Sequence, residues 1–247
     1  MKMRLIVVVA IVSLGSLAQA ATFPGSISRE PLVRGNVSDR LSIGLGYDRI
    51  ERDVVLKDHL GKAALQADSM SGYVGYNVLR WLTMFVTAGA TSLRGDQWTS
   101  PDYSLRVSTG LNAYLWEGDV LSPAFAAGRI SIKGTAELIR HEAKTDAGTS
   151  DWIEFVAALP IGYEFFDRYP ASKSGVNTSL ALYAGPAVSV LDGSLAVAAG
   201  REQGFRQDQA FGAVAGVDIY FAPSISVGFK ALILDQVTTG ASLRFHF

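Results

Sequence analysis

From Leu41 onward the chain sorts its side chains with a period of two. Leu41, Ile43, Leu45 and Tyr47 share one face, and Ser42, Gly44, Gly46 and Asp48 share the other. The pattern returns over Gln66 to Val78, where Met70, Gly72, Val74 and Tyr76 oppose Ser71, Tyr73, Gly75 and Asn77. It returns again in Leu82, Met84, Val86 and Ala88 against Thr83, Phe85, Thr87 and Gly89. A fourth segment sets Leu105, Val107, Thr109 and Leu111 against Arg106, Ser108, Gly110 and Asn112. A fifth sets Ile130, Ile132, Gly134, Ala136 and Leu138 against Arg129, Ser131, Lys133, Thr135 and Glu137. In the sixth, Ile153, Phe155, Ala157, Leu159, Ile161 and Tyr163 oppose Glu154, Val156, Ala158, Pro160, Gly162 and Glu164. Further strands are expected over Thr178 to Leu191, Phe211 to Phe221, Ile225 to Leu234 and Val237 to Phe247.

The intervening stretches predict loops and turns in alternation. Glu51 to Lys62, Arg94 to Asp102, His141 to Ser150 and Asp192 to Gln209 are polar and are expected as four longer loops. Leu79 to Trp81, Trp116 to Asp119, Ala222 to Ser224 and Asp235-Gln236 are expected as tight turns. The stretch from Phe166 to Asn177 is longer than a short turn requires at that point. These readings give about ten strands, each near the length that a tilted strand needs to cross a bilayer. A soluble β-sandwich shows the same alternation. The two architectures differ in where the charged face goes, to water in a sandwich and to an enclosed interior in a barrel.

The charge count favours enclosure. The polar faces hold Arg106, Arg129, Lys133, Lys230 and Arg244 against Asp48, Glu137, Glu154, Glu164 and Asp218, a balanced set. A narrow lumen needs that balance, because charges inside a low-dielectric shell must be paired or hydrated. The 25 glycines lie along the apolar segments as well as in turns, which suits a small barrel whose strands must bend around bulky lumen side chains. No unbroken apolar stretch beyond the N-terminus reaches the roughly 20 residues of a membrane helix.

Both ends carry specific signals. Lys2 and Arg4 precede the apolar run Leu5 to Val12, and Ala18 and Ala20 flank Gln19, the pattern of a secretory signal peptide cleaved after Ala20. Removing that leader leaves 20 basic against 23 acidic residues, a balance that offers nothing to nucleic acid. The chain has no cysteine, so neither a lipid-anchored cysteine nor a disulfide is available. At the other end, Val237 to Phe247 alternates to an aromatic terminus. Its Gly240, Leu243, Phe245 and Phe247 resemble the C-terminal insertion signal of bacterial outer-membrane β-barrel proteins, with His246-Phe247 as an extra dyad.

This resemblance implies an all-β chain folded as an antiparallel up-and-down transmembrane β-barrel of about ten strands, with eight and twelve as the even alternatives. The domain organisation is then a signal peptide over 1–20, a periplasmic lead-in over 21–37 and the barrel over 38–247. The implied location is the outer membrane. The implied partners are outer-membrane lipid and lipopolysaccharide, and the barrel-assembly machinery through the last strand, for a monomer.

Candidate chemistry is sparse. Asp58-His59 in the first expected loop, and His141 with Asp146 at the third, could pair an imidazole with a carboxylate for hydrolysis at the outer rim, as omptin-type proteases do. No local motif of that family accompanies them. A lipid A-modifying site would need an aligned Ser or His that spacing does not mark. Three scattered histidines and no cysteine imply no metal and no cofactor. The expected function is therefore a structural or surface-interaction role for a barrel with a largely filled polar lumen. A small pore is the first alternative, and a rim hydrolase is the second.

Overall fold

The computed structural model describes residues 40–57, 61–94, 102–120, 128–145, 148–166, 179–197, 201–222 and 224–247. The expected leader, the lead-in, Asp58-His59, Asp146 and nearly all of the Phe166 to Asn177 connection lie outside these residues. Twelve strands form one antiparallel sheet among the described residues: β1 (Leu41–Leu56), β2 (Lys62–Leu79), β3 (Leu82–Arg94), β4 (Ser104–Val120), β5 (Gly128–Thr145), β6 (Gly148–Ala158), β7 (Ile161–Phe166), β8 (Ser179–Val197), β9 (Arg201–Gln207), β10 (Phe211–Ala222), β11 (Ile225–Ile233) and β12 (Val237–His246).

The wall nevertheless has ten members, because two pairs of strands lie end to end. β9 and β10 follow one another along β8, bridged where Ser189 N donates to Ala210 O at 2.8 Å. β6 and β7 lie end to end between the same neighbours, β5 and β8. They are separated only by Leu159-Pro160, where Lys133 N donates to Pro160 O at 3.0 Å and Leu159 N donates to Pro186 O at 3.0 Å. The ladder therefore runs through, and the break records the N–H that Pro160 lacks. Closure follows from β12 on β1, paired from Ser42↔His246 to Arg49↔Thr239, and Phe247 N adds a bond to Leu41 O at 3.0 Å. The terminal strand is thus the seam of a cylinder, and it leaves no edge there.

The registers fix the geometry of the cylinder. From Leu45 the partners run through Gly72, Ala88 and Val107 to Arg140 on β5. In the other direction they run through Leu243, Val227, Ile219, Leu180 and Phe165 to Gly128, twelve residues away on the same strand. A ten-stranded barrel with that stagger tilts its strands by roughly 40°. Strands β1, β3, β5, β8 and β11 run away from the termini. The barrel thus has a terminus end, with the turns at Arg80-Trp81 and Ser224, and a loop end.

Several boundaries differ from the sequence expectation. β4 continues through Trp116 to Val120, where a turn was expected, because a bulge between Tyr114 and Trp116 absorbs Leu115 and lets pairing with β5 resume. At the loop end, the hairpins β1–β2 and β5–β6 rise well into the stretches expected as loops. The expected fourth loop is largely ordered as well. β8 extends to Val197, and β9 returns along it from Val197↔Arg201 to Asp192↔Arg206.

β9 also reaches β1, with Val54↔Gln207, Val55↔Arg206 and Leu56↔Phe205. It therefore closes the wall above the short β11–β12 hairpin. Between the ladders to β12 and to β9, the edge of β1 is held by side chains. Glu51 N donates to Thr238 Oγ1 at 3.3 Å, and Asp53 N donates to Asp235 Oδ2 at 2.7 Å. Asp53 O accepts from Asp208 N at 3.1 Å, and its Oδ1 accepts from Gln236 Nε2 at 3.1 Å. Three elements thus meet at one residue. Asp235→Ala removes the acceptor of a partly buried N–H and should lower unfolding stability in lipid vesicles by about 1 kcal/mol. Asp235→Asn keeps an acceptor oxygen and should lie close to the parent; equal loss in both variants would show that this carboxylate carries no such bond.

Candidate functional site

The outer surface and the lumen together define what this barrel can do. Outside, Leu45, Met70, Met84, Val86, Leu105, Leu111, Leu138, Ile153, Phe155, Ile161 and Val190 are all exposed, on consecutive strands around the wall. Toward the terminus end this belt is edged by Tyr76, Trp81, Trp116, Phe221, Phe245 and Phe247. With strands tilted by roughly 40°, the belt is on the order of 20–25 Å tall. Such a surface has no place in water but suits hydrocarbon, with aromatic rings at the interface.

At the upper border of the belt the polarity of the two faces exchanges. On β1 the outward series Leu41, Ile43, Leu45, Tyr47 continues as Arg49, Glu51 and Asp53, while the inward series Ser42, Gly44, Gly46, Asp48 continues as Ile50, Arg52 and Val54. On β2, Leu65 and Ala67 point inward where Lys62 and Gln66 point outward. On β5, Ile139 and Ala143 lie inside and Arg140, Glu142 and Lys144 outside. The border itself is marked outside by Tyr47, whose hydroxyl donates to Asp68 Oδ1 at 2.7 Å, and by Arg94, which pairs with the same carboxylate. Above this line the outside meets water, so the inside can be oily.

The inverted segments build a compact apolar core inside the loop end. Ile50, Val54, Leu65, Ala67, Leu93, Ala143, Trp152, Leu191, Leu195 and Phe205 pack there, with Leu56 and Ala63 against them. His141 lies beside this core. It was expected on the third external loop, but β5 continues through it and turns it into the lumen, where it is fully buried. Its ring stacks on Trp152 with centroids 4.6 Å apart and planes within 9°, and its Nδ1 bonds Thr91 Oγ1 at 3.1 Å. The pairing of His141 with Asp146 falls outside the described residues, as does that of Asp58 with His59.

Below the core lie the ion pairs. Arg52 Nη2 meets Glu154 Oε1 at 3.0 Å, with both side chains almost wholly buried, and Ser189 Oγ donates to the same oxygen at 2.9 Å. Arg52 also donates to Thr238 Oγ1. Arg106 stands between two acids, Asp48 and Glu137, each at 3.7 Å, and donates to Thr87 Oγ1 at 2.9 Å. Ser108 donates to Glu137 at 2.5 Å.

Nearer the terminus end, Glu164, Asp218, Lys133, Lys230 and Arg244 are buried as well. Lys133 sits over the Tyr114 ring at 5.2 Å, and Arg244 over the Tyr73 ring at 4.8 Å, distances at which a cation is drawn to a ring face. Glycines make room for this filling: a Cβ at Gly110 would strike the Phe85 ring, and one at Gly216 the Tyr183 hydroxyl. Arg129 differs from the other nine predicted lumen charges. It lies at the terminus-end rim, partly exposed, bound to Asp119 at 2.8 Å and Glu117 at 3.3 Å.

Sequence reasoning missed Arg52 because Glu51 to Lys62 reads as a polar loop. The signal is there nonetheless, since Asp48, Ile50, Arg52 and Val54 continue the inward parity of β1. Along the last strand, Leu243, Phe245 and Phe247 face outward, whereas Gly240 shares the lumen face with Thr238, Ser242, Arg244 and His246. Among the described residues no cluster of three or more His, Cys, Asp or Glu could hold a metal ion.

A closed antiparallel barrel with an apolar belt, aromatic edging and a charged interior defines a transmembrane β-barrel of the outer-membrane type. No protein-family model matches the chain, and no curated protein matches it. Among solved structures it is similar to the outer-membrane protein Omp33 of Acinetobacter baumannii, at 9% identity and a TM-score of 0.26, over 85% of this chain and all of that one. It is also similar to OmpF of Salmonella typhi, in a complex with daunomycin, at 10% identity and a TM-score of 0.17, over 85% of this chain and 98% of that one.

The two kinds of arginine separate in their expected energetics. Arg106→Leu leaves Asp48 and Glu137 buried beside an apolar side chain and should cost about 3–5 kcal/mol in denaturant unfolding from vesicles. Arg129→Ala removes rim pairs open to water and should cost less than about 1 kcal/mol. Comparable losses would mean that the lumen is as wet as its rim.

Proposed function

We propose that the protein is a sealed, non-conducting barrel of the bacterial outer membrane, with a structural role in the envelope and a rigid loop end offered to the outside. The export signal and the apolar belt support that location, and both chain ends of the barrel then lie on the periplasmic side. Its partners on this reading are the lipid and lipopolysaccharide around the belt, and the assembly machinery that receives the closing strand.

One observation carries the reading. The lumen is obstructed twice along its length, by the apolar core at the loop end and by the ion-pair layer beneath it. An ion crossing the first would lose its hydration without gaining a partner. Crossing the second would require displacing Arg52 from Glu154 or Arg106 from its two acids.

Purified protein in planar bilayers should give no stepped current at any voltage that the membrane withstands. Stable unitary conductance from heat-modifiable, folded protein would overturn the proposal and favour a small pore.

A further inference from the structure

The loop end does more than its sealing role requires. Above the β11–β12 hairpin the wall is β9, and β9 joins β1 through only three register pairs. The other ties to that side include a backbone bond from Lys57 N to Gly204 O of β9 at 2.8 Å and two ion pairs, Lys57 with Asp192 of the adjoining β8 at 2.8 Å and Lys62 with Asp208, just past β9, at 2.5 Å. Their side chains are 45% and 62%, and 66% and 29%, exposed, respectively. Pairs so open to water add little to the hold on the cover. The inner side of this cover carries Phe205, which is buried in the same apolar core as Leu195 of β8.

Inside that core two ring nitrogens stand apart. Trp152 Nε1 and His141 Nε2 have no hydrogen-bond partner, although both side chains are fully buried. Native interiors rarely leave such groups unmatched without a reason. An indole N–H can only donate, and His141 already uses its other nitrogen on Thr91. The layer below offers no spare charge at Arg52, which Glu154 neutralises.

We propose that the loop-end core is a ligand chamber covered by β9. A small, neutral, mainly apolar molecule bearing one hydrogen-bond acceptor enters from the loop end when β9 lifts. It takes the space that Phe205 vacates, beside Leu195, and accepts from Trp152 Nε1. The ion pairs beneath stay in place, so the chamber opens without the lumen conducting. This inference goes beyond the sealed-barrel reading and can fail independently of it.

The absence of cysteine from the chain permits a direct test. Single thiols are introduced as Ala143→Cys, in the chamber, and Ala158→Cys, in the buried cluster lower in the barrel. Each full-length protein is reconstituted in nanodiscs and treated with N-ethylmaleimide. Ala143→Cys should react at least about tenfold faster than Ala158→Cys, because local lifting of β9 needs less free energy than opening the wall. The neutral ketone 2-nonanone should slow that reaction several-fold. Adding Trp152→Phe should preserve the fast labelling but abolish the protection. Equal labelling of the two thiols would show that the cover does not lift, and labelling indifferent to 2-nonanone would show a packed core that takes no ligand; either result overturns the proposal.

Discussion

The buried pair Arg52–Glu154 expresses the constraint on which the rest of the structure depends: a charge kept from lipid and out of reach of water can stay inside this cylinder only while it is paired. Taking either ion from water costs several kcal/mol, which attraction at short range and supporting hydrogen bonds must offset. Ser189 and Thr238 supply that support here. The wall supplies the dryness, because every strand keeps its neighbours and β12 leaves no open edge against β1. The loop-end core then excludes water from above. Each part is needed by the others.

The same constraint explains why the period of two sorts different chemistry at different heights. Within the belt the outside is hydrocarbon, so polarity goes inward. Beyond Tyr47 on β1 the outside is wet, and the inward positions Ile50 and Val54 form an ordinary hydrophobic core. A single strand thus passes from an inside-out segment to a conventional one without a break in its hydrogen bonding. The loop end is therefore a continuation of the wall with its own interior.

This exchange also decides what could be read from the sequence. The strands of the belt were legible, because alternating runs such as Leu105 to Leu111 against Arg106 to Asn112 leave few other arrangements. The enclosure of Asp48, Arg106, Glu137 and Glu154 could be anticipated on the same grounds, since their faces share that parity. Arg52 and His141 read as loop residues, because polar outward residues such as Glu51, Asp53, Arg140 and Glu142 make the upper strand ends resemble loops. β9 was hidden for a different reason. Its place depends on how far β11 and β12 fall short of their neighbours, a fact about the assembled wall that no local window contains. The bulge at Leu115 is equally non-local, set by the partner strand it must rejoin.

The central claim is that the lumen is dry and tightly paired, and a double-mutant cycle between Arg52 and Glu154 tests it most directly. Arg52→Met, Glu154→Leu and the double variant are compared by denaturant unfolding from lipid vesicles. The account predicts that each single change is strongly destabilising and that the double change recovers much of the loss, with a coupling of about 2 kcal/mol or more. Additivity within about 0.5 kcal/mol would contradict it, because two charges that do not feel each other at 3.0 Å are charges in water.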